Sequence, residues 1–305
     1  MNILIAGASG LIGTVLAHHL SHHHNITVLG RTLEKLKRMF SDKFNTLTWD
    51  DLESHNATTY DLVINLSGAS IGDRRWNANV KKELIESRTI TNKKLTEWLI
   101  HQHATPRFFC ANAIGIYGAE ELSTNAVNED TALPKSSHDF LQHIGLVWEQ
   151  SLQTAINAGI PVTILRFGVV LKQGGGMLKK LEWPFRLGLG SIIGSGRQTL
   201  SWIYYQDLIQ AIDFLIERPD VVGAINITSP TPITQQEFAA QFANVLDRKI
   251  WFKTPALLIR ILFGEMGEYL LLKGQHVTPK RLIELGFKFS YPTLQSALNE
   301  EFPKK

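Results

Sequence analysis

Several things are scarce in these 305 residues. Cys110 is the only cysteine, so an internal disulfide is excluded and a reducing compartment is expected. No apolar run approaches the roughly 20 residues that a membrane-spanning helix needs. No long block of one charge occurs: 31 basic residues face 28 acidic ones for a net charge of +3, which argues against nucleic acid as a partner. Internal repeats and low-complexity linkers are missing too. The first strand-like run begins at Ile3, which leaves no room for a targeting segment, so a cytoplasmic location is expected. What remains is ordinary for a globular chain, with 44% hydrophobic and 19% charged residues. The length suits one large domain or a nucleotide-binding domain with a smaller companion.

The most informative stretch is Ile3-Leu4-Ile5-Ala6-Gly7-Ala8-Ser9-Gly10-Leu11-Ile12-Gly13. An apolar run without alternation reads as a parallel strand covered on both faces. Gly7 permits a tight turn, Gly10 lets backbone approach a pyrophosphate, and Gly13 lets the next helix, about Leu11 to Leu20, pack on the strand. That helix aims its positive end at the phosphates, so Gly7, Ser9, Gly10, Leu11, Ile12 and Gly13 are candidate cofactor contacts. A second strand, Ile26 to Leu29, ends in Gly30-Arg31, where a dinucleotide's adenosine ribose is met. An arginine there accommodates a 2′-phosphate, whereas an acid would repel it, so NADP(H) is expected over NAD(H).

Strand-like and helix-like segments alternate through the first two thirds, which predicts an α/β fold with a doubly wound parallel sheet. Residues 44–49, 61–66, 106–112, 162–171 and 224–227 read as further strands. Leu66, Ser67 and Gly68 fall at a strand exit on the carboxyl edge, where such folds place their ligand. A helix carries Glu83, Ser87 and Arg88, and another covers about 137–158. Glycine crowds 174–196, implying mobile backbone near a ligand or simply tight turns. Arg186, Arg197 and Gln198 in that stretch are candidate contacts for a substrate phosphate. Asp207 precedes a helix, and helices are expected at 234–246, 255–263 and 279–285. The expected organisation is a Rossmann domain over 1–173, with contributions from about 200–228, and a smaller, mostly helical lobe over 174–305. The histidines His18, His19, His22, His23 and His24 offer i, i+4 pairs, but the exposed end of a helix explains them better than a metal, and no metal is expected. Cys110 sits in an apolar strand as packing.

Arg75-Trp76, Ser87-Arg88, the run Phe185-Arg186-Leu187-Gly188-Leu189-Gly190, Trp202-Ile203, Gly264-Glu265, Gly274-Gln275, Pro279, Arg281-Leu282 and Gly286-Phe287 carry a resemblance. With the glycine turn, they make the chain resemble the atypical extended short-chain dehydrogenase/reductases, an epimerase family with a distinctive C-terminal domain of the DUF1731 type, here about 250–300. The resemblance implies a Rossmann fold, NADP(H) at Gly30, Arg31, Leu66, Ser67, Glu83, Arg88 and Val170, and oxidoreductase or epimerase-like activity on a small polar or sugar-nucleotide-like substrate. The superfamily's active members use a Ser/Thr and a Tyr-x-x-x-Lys dyad; counting back from Trp148-Glu149 puts Leu141 and Gly145 at the dyad positions. Tyr269-x-x-x-Lys273 has the spacing but lies in the C-terminal lobe and reads as coincidence. Asn112 takes the serine position, Tyr117 is the best remaining proton donor, and His138 and His143 border the dyad's helix. A catalytically silent NADP(H)-binding sensor or partner-binding protein is the alternative. The oligomeric state is open, with a homodimer among the options.

Overall fold

The computed structural model describes residues 1–40, 42–122 and 125–303. Among them β1 (Asn2–Ala6), β2 (Asn25–Gly30), β3 (Asn45–Thr48), β4 (Leu62–Asn65), β5 (Arg107–Ala113), β6 (Val162–Phe167) and β7 (Gly223–Ile227) form one parallel sheet. The strand order is β7-β6-β5-β4-β1-β2-β3. The chain winds outward from β1 in both directions, so the loops after β1 and β4 part at a switch point and leave a crevice at the carboxyl edge. β1 is central as its apolar run implies: Ile3 lies opposite Ile26 on one side and Leu62 on the other.

Successive strand residues point to opposite faces, and both faces are covered. Ile3, Ile5, Val28, Ile64, Phe109 and Leu165 pack against α1 (Leu11–Leu20) and α7 (Tyr205–Ile216). Leu4, Leu29, Val63, Phe108 and Ile164 pack against α3 (Ala78–His101) and the junction of α4 (Phe140–Gln150) with α5 (Gln153–Asn157). Each fully buried Leu, Ile or Phe contributes about 1.5–3 kcal/mol. α2 (Leu33–Met39) joins β2 to β3.

Three local readings are corrected. The single helix expected over 137–158 is two, capped by Asp139, whose carboxylate accepts the N–H groups of Leu141 and Gln142. The strand expected over 162–171 breaks at Gly168, where a Cβ would sit 2.9 Å from the Ser201 carbonyl oxygen; beyond it Val169–Leu171 leaves the sheet and pairs with Trp202–Tyr204. The glycine-rich stretch contains a helix, α6 (Gly176–Arg186), begun by Gly175 at its N-cap. Gly188, Gly194 and Gly196, all at positive φ, make the tight turns that follow.

The smaller lobe adds α8 (Gln235–Val245), α9 (Ala256–Gly267), a π-helical turn (Glu268–Leu272), α10 (Lys280–Glu284) and α11 (Leu294–Glu301). Trp202, Tyr204, Phe185, Phe238, Phe242, Leu294 and Phe302 form its core. Asp207, inside the first turn of α7 rather than before it, accepts the N–H groups of Ser290 and Tyr291 and ties the lobe to the sheet. Among the described residues no helix is long and apolar enough to cross a membrane.

Candidate functional site

The turn after β1 admits only glycine at two of its three marked positions. A Cβ on Gly7, at φ +77°, would lie 2.6 Å from the Leu66 carbonyl carbon, and one on Gly13 would lie 2.4 Å from the Gly7 oxygen. β1, α1 and the exit of β4 are thereby pressed together. Gly10 is the N-cap of α1, no side chain caps that end, and no acid occupies its first turn. The orphan N–H groups of Leu11, Ile12 and Gly13 therefore face the crevice mouth beside Ser9, an arrangement suited to a phosphate. Gly175 closes the other side, its Cα hydrogens against Leu11, and Val170 lines the same small hollow as Leu11 and Ile12. Arg31 is exposed immediately after β2.

At the exit of β4, Asn65 accepts the Ser67 N–H at 3.0 Å and donates to Asn92 Oδ1 at 2.7 Å, fixing the loop that carries Leu66, Ser67 and Gly68. Arg88 lies beneath it, buried. Its Nη1 donates to the Leu84 carbonyl at 2.8 Å, its Nη2 to the Ala69 carbonyl at 3.0 Å, and its guanidinium stands 4.8 Å over the Trp148 ring. Gly68 makes room, because a Cβ there would lie 3.2 Å from Arg88 Cζ. Among the described residues no carboxylate pairs with Arg88, and burial pulls its pKa down to about 10. A buried cation without an anion fits a site that receives one. Glu83, one helical turn before Ser87, is exposed and pairs with Arg74 at 2.6 Å.

At the end of β5 the structure assembles a polar network that the sequence reading missed in part. Glu149 on α4 makes a forked ion pair with buried Arg166 on β6, at 2.8 and 2.9 Å. Arg166 Nη1 donates to the Tyr117 hydroxyl at 2.7 Å, and that hydroxyl donates to Asn226 Oδ1 at 2.9 Å. Glu129 accepts the Asn226 N–H at 2.9 Å. Burial raises the pKa values of Tyr117 and Glu129, while burial's pull against the Arg166 charge is more than offset by Glu149 and Tyr117. The available signal was a lone arginine in the apolar run Val162–Phe167 and a lone asparagine in Gly223–Ile227.

Asn112 is turned into this network. Its amide donates to the Gly145 carbonyl at 3.1 Å and to Glu149 at 3.2 Å, and its oxygen accepts the Ala113 N–H, so its donors are engaged internally. Leu141 is buried, and a Cβ on Gly145 would lie 2.8 Å from Ile116 Cβ. His143 is half-buried on the outward side of α4, and His138 is exposed. Tyr269 is closer to this region than its place in the lobe implies: its ring stacks on Trp76 at 6.4 Å, Trp76 meets Phe140 edge-on at 4.9 Å, and all pack with Leu141. Lys273 Nζ sits 4.6 Å over the Tyr269 ring.

The three residues assigned to a substrate phosphate do not converge. Gln198 is buried, and its amide donates to the Ile193 and Leu271 carbonyls at 3.0 and 2.7 Å. Arg186 forks onto Glu182 of its own helix. Arg197 is exposed beside Gly196. Among the histidines, His18 packs on Phe40 and Phe44 and His19 bonds to Asp213; among the described residues no cluster could hold a metal ion. Cys110 is fully buried, donates to Asn92, and has its thiol pushed up to about 12, an inert packing group.

Comparison with known proteins bears on the same elements. Residues 3–228 match the NAD dependent epimerase/dehydratase family, and residues 254–301 match a domain of unknown function, DUF1731. Epimerase family protein Mb2239 of Mycobacterium bovis is 33% identical over 97% of this chain and 96% of its own. The crystal structure of human epimerase family protein SDR39U1 with NADPH superposes with a TM-score of 0.86 at 30% identity, covering 98% of each chain. A nucleoside-diphosphate sugar epimerase from Corynebacterium glutamicum shares the fold at 24% identity and a TM-score of 0.73, over 99% of this chain and 58% of that one. The glycine-lined crevice at the switch point of a parallel sheet and the match over three quarters of the sequence agree: the chain belongs to the NAD dependent epimerase/dehydratase family.

Proposed function

We propose that the protein is an NADP(H)-dependent oxidoreductase or epimerase-like enzyme of the extended short-chain dehydrogenase/reductase kind, acting on a small polar, sugar-nucleotide-like substrate without a Tyr-x-x-x-Lys dyad. The observation that carries the reading is the uncapped, glycine-lined start of α1, with Arg31 exposed at the end of β2. The human relative solved with NADPH supports the same cofactor. Leu11, Ile12 and Gly13 would offer N–H groups to the pyrophosphate, Arg31 would fork onto the 2′-phosphate, and the loop over Arg88 would take a second anionic or polar portion. When bound, the nicotinamide supplies or takes up the hydride. Tyr117 is the assigned proton donor: Asn226 orients its hydroxyl, and Arg166, donating to the same oxygen, would stabilise the phenolate left behind. Arg197 is the remaining side chain suited to a substrate phosphate.

Leu141 and Gly145 favour a second reading, a silent NADP(H)-binding sensor or partner-binding protein. Fluorescence titration with NADPH and NADH, followed by NADPH oxidation in the presence of sugar nucleotides and small carbonyl compounds, separates the two. Binding with turnover supports the enzyme, and binding without turnover across the panel favours the sensor. Failure to bind either nucleotide overturns both.

A further inference from the structure

The smaller lobe carries an apolar surface that the cofactor crevice does not use. α9 is apolar around most of its circumference, yet of its first eight residues only Ile259 is buried; Leu257 and Ile261 are 67% and 61% exposed, with Leu258 and Leu262 beside them. The short strand Phe252–Thr254 leads into α9 and pairs with Ser191–Ile193, which follows α6. Arg248 Nε donates to the Arg186 carbonyl at 2.8 Å and binds the two ends together. Trp251 and Phe252 on one side and Trp183, Leu187 and Leu189 on the other are thus parts of one surface, all exposed. Trp183 and Trp251, 70% and 73% exposed, put roughly 300 Å² of indole into water. With the exposed leucine and isoleucine side chains of α9 they form an apolar surface of the kind that marks an interaction site.

The charges around it decide what covers it. Residues 247–268 hold Arg248, Lys249, Lys253 and Arg260 against Asp247, Glu265 and Glu268, and α6 adds Lys179, Lys180 and Arg186 against Glu182. Arg260 pairs with Glu268, Lys180 with Asp73 and Arg186 with Glu182, so Arg248, Lys249, Lys253 and Lys179 carry the positive charge of the rim. Two copies of this face pressed together would oppose like charges, which disfavours a self-complementary dimer. Phosphate-bearing headgroups would neutralise the basic rim while indole, leucine and isoleucine side chains entered the acyl boundary, the chemistry of a helix lying in a membrane interface. Tryptophan is the side chain that settles at that depth. We propose that α9, with Trp251, Phe252 and Trp183, docks the protein peripherally on an anionic lipid surface. The crevice is then held at the membrane without any segment crossing it.

The test is co-sedimentation of the full chain with vesicles of phosphatidylglycerol mixed with phosphatidylcholine, against vesicles of phosphatidylcholine alone. Binding to the anionic vesicles at least about tenfold tighter, and weakened as salt rises from about 0.05 M to about 0.5 M, is expected. Trp251→Ala and Ile261→Glu, both at exposed positions, each reduce that binding about tenfold with unchanged circular dichroism. Protein that stays in the supernatant with anionic vesicles overturns the proposal. So does equal, salt-insensitive binding to both vesicle types. A dimer in light scattering that Ile261→Glu converts to monomer, without vesicle binding, assigns the face to a second copy instead.

Discussion

Gly145 and Ile116 lie so close that a Cβ on the glycine would sit 2.8 Å from Ile116 Cβ and 2.9 Å from its Cα. The contact seats α4 on the turn that follows β5. Placing a lysine at 145 therefore forces the helix off its bed before any catalytic gain. Gly145→Ala is expected to lower unfolding free energy by about 1–3 kcal/mol, and Gly145→Lys by at least as much. Urea unfolding checks this; an unchanged midpoint for either variant would show that the helix can shift freely.

Glu149 is the carboxylate that balances buried Arg166, and it also accepts from Asn112. Glu149→Leu leaves the guanidinium uncompensated and is expected to cost about 3 kcal/mol. Arg166→Met with Glu149→Leu should recover part of that loss, because both charges go together. A double-mutant cycle in urea reads the coupling.

Burial raises the Glu129 carboxyl above its ordinary 4.5 in the folded chain. The folded chain then holds that proton more tightly than the unfolded one, so this group's contribution falls as pH rises through the window above 4.5. Glu129→Gln, which does not titrate, is expected to lose this pH dependence and to gain in stability relative to wild type as pH rises above 4.5. A stability difference independent of pH removes Glu129 as its source.

Tyr117→Phe keeps the ring and removes the hydroxyl held between Arg166 and Asn226. If Tyr117 gives the proton, kcat falls about a hundredfold or more while KM changes little. An unchanged kcat excludes Tyr117 and moves the search to His143 and Tyr269.

The fold was legible wherever local pattern and global position agree. The run Ile3 to Gly13 carries its own turn, helix start and close packing, so strand, crevice and helix followed from it. α6 was hidden because Gly174, Gly175, Gly176 and Pro184 read as breakers, although a helix accepts glycine at its N-cap and start. Pro184 also falls within the helix, nine residues in, and nothing in its local sequence signals tolerance there. The polar network at the end of β5 was half legible: Tyr117 and Asn112 stood out near a strand end, but their partners come from residues 149, 166 and 226, and Glu129 joins through Asn226, which only tertiary packing brings together. The two carbonyls that the Gln198 amide braces were not legible, because they come from residues 193 and 271.

The most direct test of the account is nucleotide titration of wild type and Arg31→Glu by fluorescence. The account predicts that NADPH binds wild type more tightly than NADH, and that Arg31→Glu weakens NADPH by about tenfold or more while leaving NADH within about twofold. Equal effects on the two nucleotides, or no effect on either, would contradict it.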